Sequence, residues 1–359
     1  MSRPRHIERA AKRFAISTII SVFGLCLILS LVNITRLDAQ ETPSPAPFEN
    51  WQSPLNAAHP LVGKIYSVED GANITPGELI DRLSGERHIL LGEIHDNKDH
   101  HLLQAWVIAQ LAALHRKPSI VMEQIRVDQA GILKLFMSGK FKTAERMGPA
   151  IGWEKSGWPK WENYQPIAKA ALGNKLPIYA GDTTRPMNRK VGKQGFKALP
   201  SGDTSDLGLD LPLGDELDNA LAIELVSSHC DLMPAKMMGP MALVQRYRDA
   251  HLARALREAN LVDGSILIAG NGHVRTDRAV PWYLRGEHIK SVTVMIVETS
   301  SEAQTALDLI PLDPSGKATA DYIWVTPGAQ REDPCIKLKK QFGGKHGKKG
   351  TGEHGKKAE

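Results

Sequence analysis

The sequence has little cysteine. Only Cys26, Cys230 and Cys335 occur among its 359 residues, and no two of them form a CxxC pair. This scarcity argues against a thiolate zinc site and against a dithiol redox centre. Cys230 and Cys335 can form a disulfide if the domain is exported, although the sequence alone gives no distance between them.

The central part of the chain also lacks an excess of positive charge. The formal net charge is +5, but residues 1–13 hold five basic residues against Glu8, and residues 336–359 hold eight lysines against two glutamates. The remainder is therefore mildly acidic, and the basic character of the whole chain does not predict nucleic-acid binding.

A single long apolar run lies near the N-terminus, where Phe14–Val32 carries no charge and follows a basic segment. This pattern is typical of an export signal, and its length also suits one membrane span. The sequence Leu37-Asp38-Ala39 is a poor cleavage site, so a cleaved signal and an uncleaved anchor both stay open. We expect residues 1–39 to direct the chain to the bacterial envelope, periplasmic or anchored in the inner membrane facing out.

Short apolar runs alternate with helical patterns between residues 61 and 330. This alternation predicts an α/β fold, a mostly parallel sheet covered by helices on both faces. Residues 40–60 read as a linker, and 331–359 as a basic disordered tail. The predicted strands are His88–Gly92, Ser119–Glu123, Pro177–Gly181, Ser265–Gly270, Val292–Val297 and Tyr322–Val325.

Ionisable residues follow four of the predicted strands. Glu93 and His95 follow the first strand, Glu123 ends the second, Asp182 follows the third, and His273 follows the fourth. Ligands of open α/β sheets bind at the carboxyl ends of the strands, so we expect one crevice that gathers these groups. Metal ligation by Glu93, His95 and His273, acid/base chemistry and an anionic ligand all fit the pattern. Taken singly, each residue also suits a turn cap or a salt bridge.

Two further segments suit a flat apolar ligand. Met237 and Met241 belong to a methionine-rich stretch that begins just after Cys230, and Trp158 lies in a tryptophan-rich loop. Polarisable thioethers and aromatic rings can cover a macrocycle or form an interface. Packing in the core or on the surface explains them equally well.

Six segments follow one another along the chain: HILLGEIHDNKDHH, IVMEQ, GWPKWENYQPI, SSHCDLMPAKMM, QRYRDAHLARAL and LIAGNGHVRTDRAVPWYL. Together they resemble the ChaN-like family of haem-binding, iron-uptake proteins, within the Tiki and erythromycin-esterase-like superfamily. The resemblance implies a ChaN-like fold, haem as the cofactor and a homodimer with stacked haems. It implies tyrosine ligation of the iron, by Tyr164 or in reserve Tyr283, with His101 and Arg185 near the propionates and Met237 and Met241 against the ring.

Two hypotheses of function follow. The first is an envelope haem-binding protein in haem or iron uptake or handling. The second is a metal-dependent or acid/base hydrolase, with Glu93, His95, Glu123 and His273 as catalytic residues and, in the metal-dependent case, a divalent metal as cofactor. The polar cluster favours the hydrolase, whereas the resemblance favours haem.

Overall fold

The computed structural model describes residues 50–259, 262–333, 335, 336, 338 and 339. The predicted signal or anchor, the first part of the predicted linker and most of the predicted basic tail lie outside these residues. Among the described residues, no helix is long and apolar enough to cross a membrane.

The described part of the chain contains eight strands and eleven α-helices. The strands are β1 Ile65–Ser67, β2 Ala72–Ile74, β3 His88–Glu93, β4 Ser119–Arg126, β5 Ile178–Asp182, β6 Ser265–Gly270, β7 Val292–Glu298 and β8 Tyr322–Thr326. The helices are α1 Pro76–Ser84, α2 Lys98–Ala113, α3 Ala130–Ser138, α4 Ala144–Ala150, α5 Trp161–Gly173, α6 Arg185–Gln194, α7 Asp203–Asp206, α8 Asp215–Ser228, α9 Gly239–Glu258, α10 Asn271–Val274 and α11 Val280–Gly286.

One sheet contains all eight strands, in the order β2-β1-β8-β7-β3-β6-β4-β5. The six strands from β8 to β5 are parallel, and the short β1–β2 hairpin adds to the β8 edge in antiparallel pairing. The predicted mostly parallel α/β fold is confirmed. The hairpin was not predicted, because three-residue strands carry too little periodicity to detect.

Alternate side chains of each strand enter two separate hydrophobic cores. Ile89 and Leu91 of β3 pack with α1, α2 and α5 on one face, which we call the first face. Leu90 of the same strand packs with α9 and α11 on the opposite, second face. Both faces are therefore covered by helices, and each strand reads as an unbroken apolar run.

The predicted linker before the domain and the start of the predicted tail after it both make contacts with the domain. Leu55 pairs with Gly328 in an isolated β-bridge, and the backbone N–H groups of Gln52 and Ser53 donate to the Asp99 carboxylate. At the other end, Arg331 forms ion pairs with Asp96 and Glu298. The Cys230–Cys335 disulfide joins this region to the connection between α8 and α9. Residues 50–60 are thus attached to the domain, and attachment continues past residue 330.

Candidate functional site

Glu93 ends β3 on the first face, where it is almost completely buried. Its Oε1 atom accepts hydrogen bonds from Tyr164 Oη at 2.7 Å, His95 Nδ1 at 2.8 Å and Gln124 Nε2 at 2.9 Å. Its Oε2 atom lies 3.4 Å from His101 Nε2, without hydrogen-bond geometry. We call these five residues the Glu93 centre.

The charges of the Glu93 centre are set by this packing. Burial alone would raise the pKa of Glu93, but the His101 and His95 imidazoles hold it below its usual range. Burial, together with the Glu93 carboxylate, raises the pKa of Tyr164 well above its usual value. Glu93 is therefore a carboxylate at neutral pH, and Tyr164 is a neutral phenol that donates its proton to it.

His95 is the member of this centre that reaches solvent, with a side chain that is 35% exposed. Its ring packs against Trp158 at a centroid distance of 4.7 Å. Gly270 allows the ring to approach β6 closely, because a Cβ atom at that position would lie 2.7 Å from His95 Nε2. Nδ1 is held by Glu93, whereas Nε2 lies beside Gly270 and makes no hydrogen bond within the described residues.

The loop that carries His95 is fixed by its neighbours. The Ile94 backbone N–H donates to His100 Nδ1 at 2.9 Å, and burial lowers the pKa of His100 to about 3. His100 is therefore a neutral acceptor in a structural role. The side chain of Asn97 caps α2 by accepting from the Asp99 N–H, and such a cap ends the loop at a defined residue.

Glu123 lies near the end of β4, on the second face. Its Oε1 atom accepts from Arg248 Nη2 at 2.6 Å, and its Oε2 atom accepts from the Gly270 backbone N–H at 2.7 Å. Arg248 also binds Asp182, which ends β5, through Nε and Nη2. Burial would raise the pKa of Glu123, but His273, His95 and Arg248 hold it well below its usual range.

His273 lies between two carboxylates. Its Nδ1 atom donates to Asp249 Oδ1 at 2.6 Å, and its Nε2 atom lies 3.3 Å from Glu123 Oε1. Burial would lower the pKa of His273, but Glu123 and Asp249 raise it to about 9. Burial raises the pKa of Asp249 to about 6, against the opposing effect of His273. We call Glu123, Asp182, Arg248, Asp249 and His273 the Glu123 centre.

The two carboxylates predicted to share one crevice thus lie on opposite faces of the sheet. In the pairing with β6, Glu93 lies opposite Gly270, and Met122 lies opposite Ile268. Glu123, the residue after Met122, therefore lies one residue before the level of Glu93 along the sheet. A one-residue offset turns a side chain to the other face. His95 links the two centres, because Nδ1 binds Glu93 while the rest of the ring reaches Gly270 beside Glu123.

Because the two carboxylates lie on opposite faces, the structure does not support the predicted metal site. Glu93, His95 and His273 were the predicted ligands, but His273 is buried with Glu123 and Asp249 while Glu93 binds Tyr164 and His95. Within the described part of the chain, no group of three His, Cys, Asp or Glu side chains is placed to hold a metal ion.

The tyrosines predicted to ligate haem iron do not fit that role in this geometry. Tyr164 is fully buried, with its hydroxyl committed to Glu93. Tyr283 is 5% exposed; its hydroxyl accepts from Arg246 Nε at 3.2 Å and burial raises its pKa. Iron ligation needs an accessible phenolate, and both environments favour the neutral phenol. His101 is also fully buried, stacked on Tyr164 at 4.1 Å, so it cannot meet a propionate.

The remaining predicted ligand contacts lie nearer the surface. Arg185 is exposed and donates to the Ser156 carbonyl, which ties it to the loop that carries Trp158. Met237 is 55% exposed just before α9, and Met241 is half-buried in its first turn. Gln245, one turn beyond Met241, lies 3.1 Å from His273 through its amide. Arg185 thus lies beside the Trp158 loop, and Gln245 lies beside the Glu123 centre.

Three contributors to the two centres were not predicted. Gln124 binds Glu93, while Arg248 and Asp249 hold Glu123 and His273. The spacing of Gln245, Arg248 and Asp249 places all three on one face of a helix, and this was the available signal.

Comparison with known proteins supplies the family. A family model described as "Haem-binding uptake, Tiki superfamily, ChaN" matches residues 79–284, which is more than half of the chain. The chain belongs to this family. No curated protein sequence matches it.

One solved structure supports the ChaN-like fold, and two more distant ones are similar over most of the chain. A structure described as cofacial heme binding to ChaN of Campylobacter jejuni aligns with a TM-score of 0.57 and 19% identity, over 72% of this chain and 95% of that one. The type III effector HopBA1 gives a TM-score of 0.38 at 12% identity, over 70% and 92%. An erythromycin esterase mutant in its open conformation gives 0.35 at 15% identity, over 74% and 82%.

Proposed function

We propose that this ChaN-family chain binds haem at the carboxyl edge of its sheet and that His95 ligates the iron. The observation that carries the proposal is the state of the His95 ring: accessible, packed on Trp158, and held through Nδ1 by the Glu93 carboxylate. Metal-ligating histidines commonly donate their other ring N–H to a carboxylate, which fixes the tautomer and makes the free nitrogen a stronger ligand.

The surroundings of His95 suit haem rather than a bare ion. Trp158 supplies an aromatic surface beside the ring. In this proposal, Met237 and Met241, around the start of α9, supply thioethers to the macrocycle. Arg185 is an exposed cation near the Trp158 loop and suits a propionate. Haem bound here would remain partly open to solvent, and we propose that a second protomer covers it, as the cofacial arrangement described for the Campylobacter jejuni protein suggests.

We further propose that the protein serves haem or iron uptake or handling at the bacterial envelope, exported or anchored in the inner membrane. The basic N-terminus followed by the uncharged run Phe14–Val32 supports export. The Cys230–Cys335 disulfide supports an oxidising compartment.

A haem titration of the full chain in detergent tests the proposal. We expect a saturable Soret shift at about one haem per protomer. His95→Ala should weaken binding by on the order of 100-fold, because the ligand is lost. Tyr164→Phe should keep the affinity and the spectrum.

His115→Asn is the matched control, since His115 is exposed beyond α2 and asparagine tolerates its positive φ. Equal haem affinity in His95→Ala and His115→Asn would rule out His95 as the ligand. Loss of binding in Tyr164→Phe with a normal far-ultraviolet spectrum would restore the tyrosine hypothesis.

An acid/base hydrolase is the second candidate, and the same histidine favours it. His95 is partly exposed and its Nε2 atom makes no hydrogen bond within the described residues, while the Glu93 carboxylate would stabilise the imidazolium formed by proton uptake. Against the effect of burial, Glu123 and Glu93 raise the pKa of His95 as well, but the pKa of His273 rises to about 9, which keeps His273 protonated at neutral pH and makes it the weaker base. Hydrolysis of activated esters by the haem-free protein, abolished in His95→Ala, would support this function; equal rates in both proteins would exclude it.

A further inference from the structure

Large apolar side chains are exposed on α3 and in the loop that follows it. Ile132 is 48% exposed, Leu135 72% and Phe141 79%. Among the nine residues of α3, only Leu133 is fully buried in the core. Exposed apolar residues that gather in one segment commonly mark an interaction site.

Basic side chains accompany these apolar groups. Lys134, Lys140 and Lys142 lie in the same segment and are exposed, and no acidic residue occurs between residues 130 and 142. We call Ile132, Leu135, Phe141 and these three lysines the apolar–basic patch. Lys142 Nζ donates to the Met137 carbonyl at 2.8 Å, which folds the loop with Phe141 back toward the helix.

The charge of the patch decides between two occupants. A second copy of the chain that used the same patch about a two-fold axis would bring three lysines against three lysines. The surface of an anionic phospholipid bilayer attracts them instead and accepts leucine and phenylalanine at the boundary of the acyl chains. The combination therefore matches a lipid surface better than a self-association surface.

The position of the patch agrees with this occupant. α3 begins four residues after β4 ends, at the carboxyl edge of the sheet. Residues 52 and 53 bind Asp99 at the N-terminus of α2, which follows β3 at the same edge. Seventeen residues separate Val32, the end of the predicted anchor, from residue 50, and such a length spans at most about 60 Å. The chain therefore joins the domain at the edge of the sheet that also carries α3, within that distance of the end of the predicted anchor.

We propose that the apolar–basic patch docks the domain onto an anionic phospholipid bilayer, with Leu135 and Phe141 in the interfacial layer and the three lysines at the headgroups. The docked segment adjoins the candidate site, because Gln129 Nε2, just before α3, donates to the Ile151 carbonyl beside the Trp158 loop. The membrane surface is then a neighbour of the crevice, independent of what the crevice binds.

Hydrogen exchange of the full chain in lipid nanodiscs tests this proposal. We compare discs that contain phosphatidylglycerol with discs of phosphatidylcholine alone, and we follow amides 130–142. Exchange should be at least about tenfold slower in the anionic discs, because docking excludes water from this segment. The variant with Lys134→Glu, Lys140→Glu and Lys142→Glu should lose this slowing.

A matched variant carries Lys190→Glu, Lys193→Glu and Lys197→Glu, which change three exposed lysines on or next to α6 by the same charge. It should keep the slowing. Exchange that is indifferent to lipid charge, or that stays slow in the patch variant, would overturn the proposal. Slowing that appears without lipid and grows with protein concentration would show a second copy on the patch and would also overturn it.

Discussion

The Glu93 and Glu123 centres use the same chemistry on opposite faces of one sheet, but they differ in how they are closed. In the Glu123 centre, Arg248, the Gly270 N–H and His273 surround the carboxylate, and both nitrogens of His273 face carboxylates. In the Glu93 centre, the side chain of the histidine on the carboxylate is 35% exposed, and one of its two ring nitrogens is bonded to the carboxylate. A sealed network holds the fold together, whereas an open one can bind a ligand.

This difference assigns separate roles to groups that look alike in the sequence. His273 stays charged and buried, so it balances Glu123 and Asp249. Under the proposal, His95 keeps Nε2 for the haem iron, while Tyr164 and Gln124 donate to the Glu93 carboxylate that orients its ring. We therefore expect changes to the Glu123 centre to alter stability and changes to His95 to alter binding.

The largest effect should follow Glu123→Gln. The change leaves Arg248 and His273 without their shared buried counter-charge, and breaking such a network typically costs about 3–5 kcal/mol. Urea unfolding measures the loss. Glu154→Gln, an exposed residue in the Trp158 loop, should change the free energy of unfolding by less than about 0.5 kcal/mol. Similar values for the two variants would mean that the Glu123 centre is not a stabilising network.

Removal of the disulfide should come next. The Cys230–Cys335 bond closes a loop with a sequence separation of 105, and native disulfides typically contribute about 2–4 kcal/mol. The double variant Cys230→Ser with Cys335→Ser should unfold at correspondingly lower urea. Reduction of the wild-type protein should give the same midpoint. An unchanged midpoint in both would show that the bond does not stabilise the domain.

The pH dependence of stability should be smaller and should isolate His273. Its pKa rises from 6.5 to about 9 on folding, so the folded state binds more protons between these values. The stabilisation is complete below pH 6.5 and is lost as the pH rises through about 9, with a slope of at most about 1.4 kcal/mol per pH unit. His273→Gln should flatten this decline. If the stability of the variant falls with pH as steeply as that of the wild type, another group causes the decline.

The layout of the sheet could be predicted from the sequence, whereas the division into two centres could not. The six parallel strands and the acidic residues at their ends follow from apolar runs bounded by turns. Because both faces of these strands are covered, the runs show no alternation that assigns a face to Glu93 or Glu123. Their faces depend on a one-residue difference in register, which is set by long-range pairing with β6.

The buried position of Tyr164 could not be predicted for a related reason. Tyr164 lies in a tryptophan-rich segment typical of a surface loop, but the chain turns helical at Trp161 and places Tyr164 one turn inward against Glu93. Trp153 and Trp161 also pack in the first core. Most of this segment is therefore buried in the core, whereas Trp158 packs against the partly exposed His95 ring.

Chemical rescue of His95→Gly tests the central claim most directly. The variant leaves a space where the imidazole stood, and free imidazole can occupy it beside Glu93. The account predicts that the haem spectrum of the variant differs from the wild-type spectrum and returns to it on addition of imidazole. An unchanged spectrum in His95→Gly without imidazole, with a charge-transfer band that disappears in Tyr283→Phe or Tyr164→Phe, would contradict it.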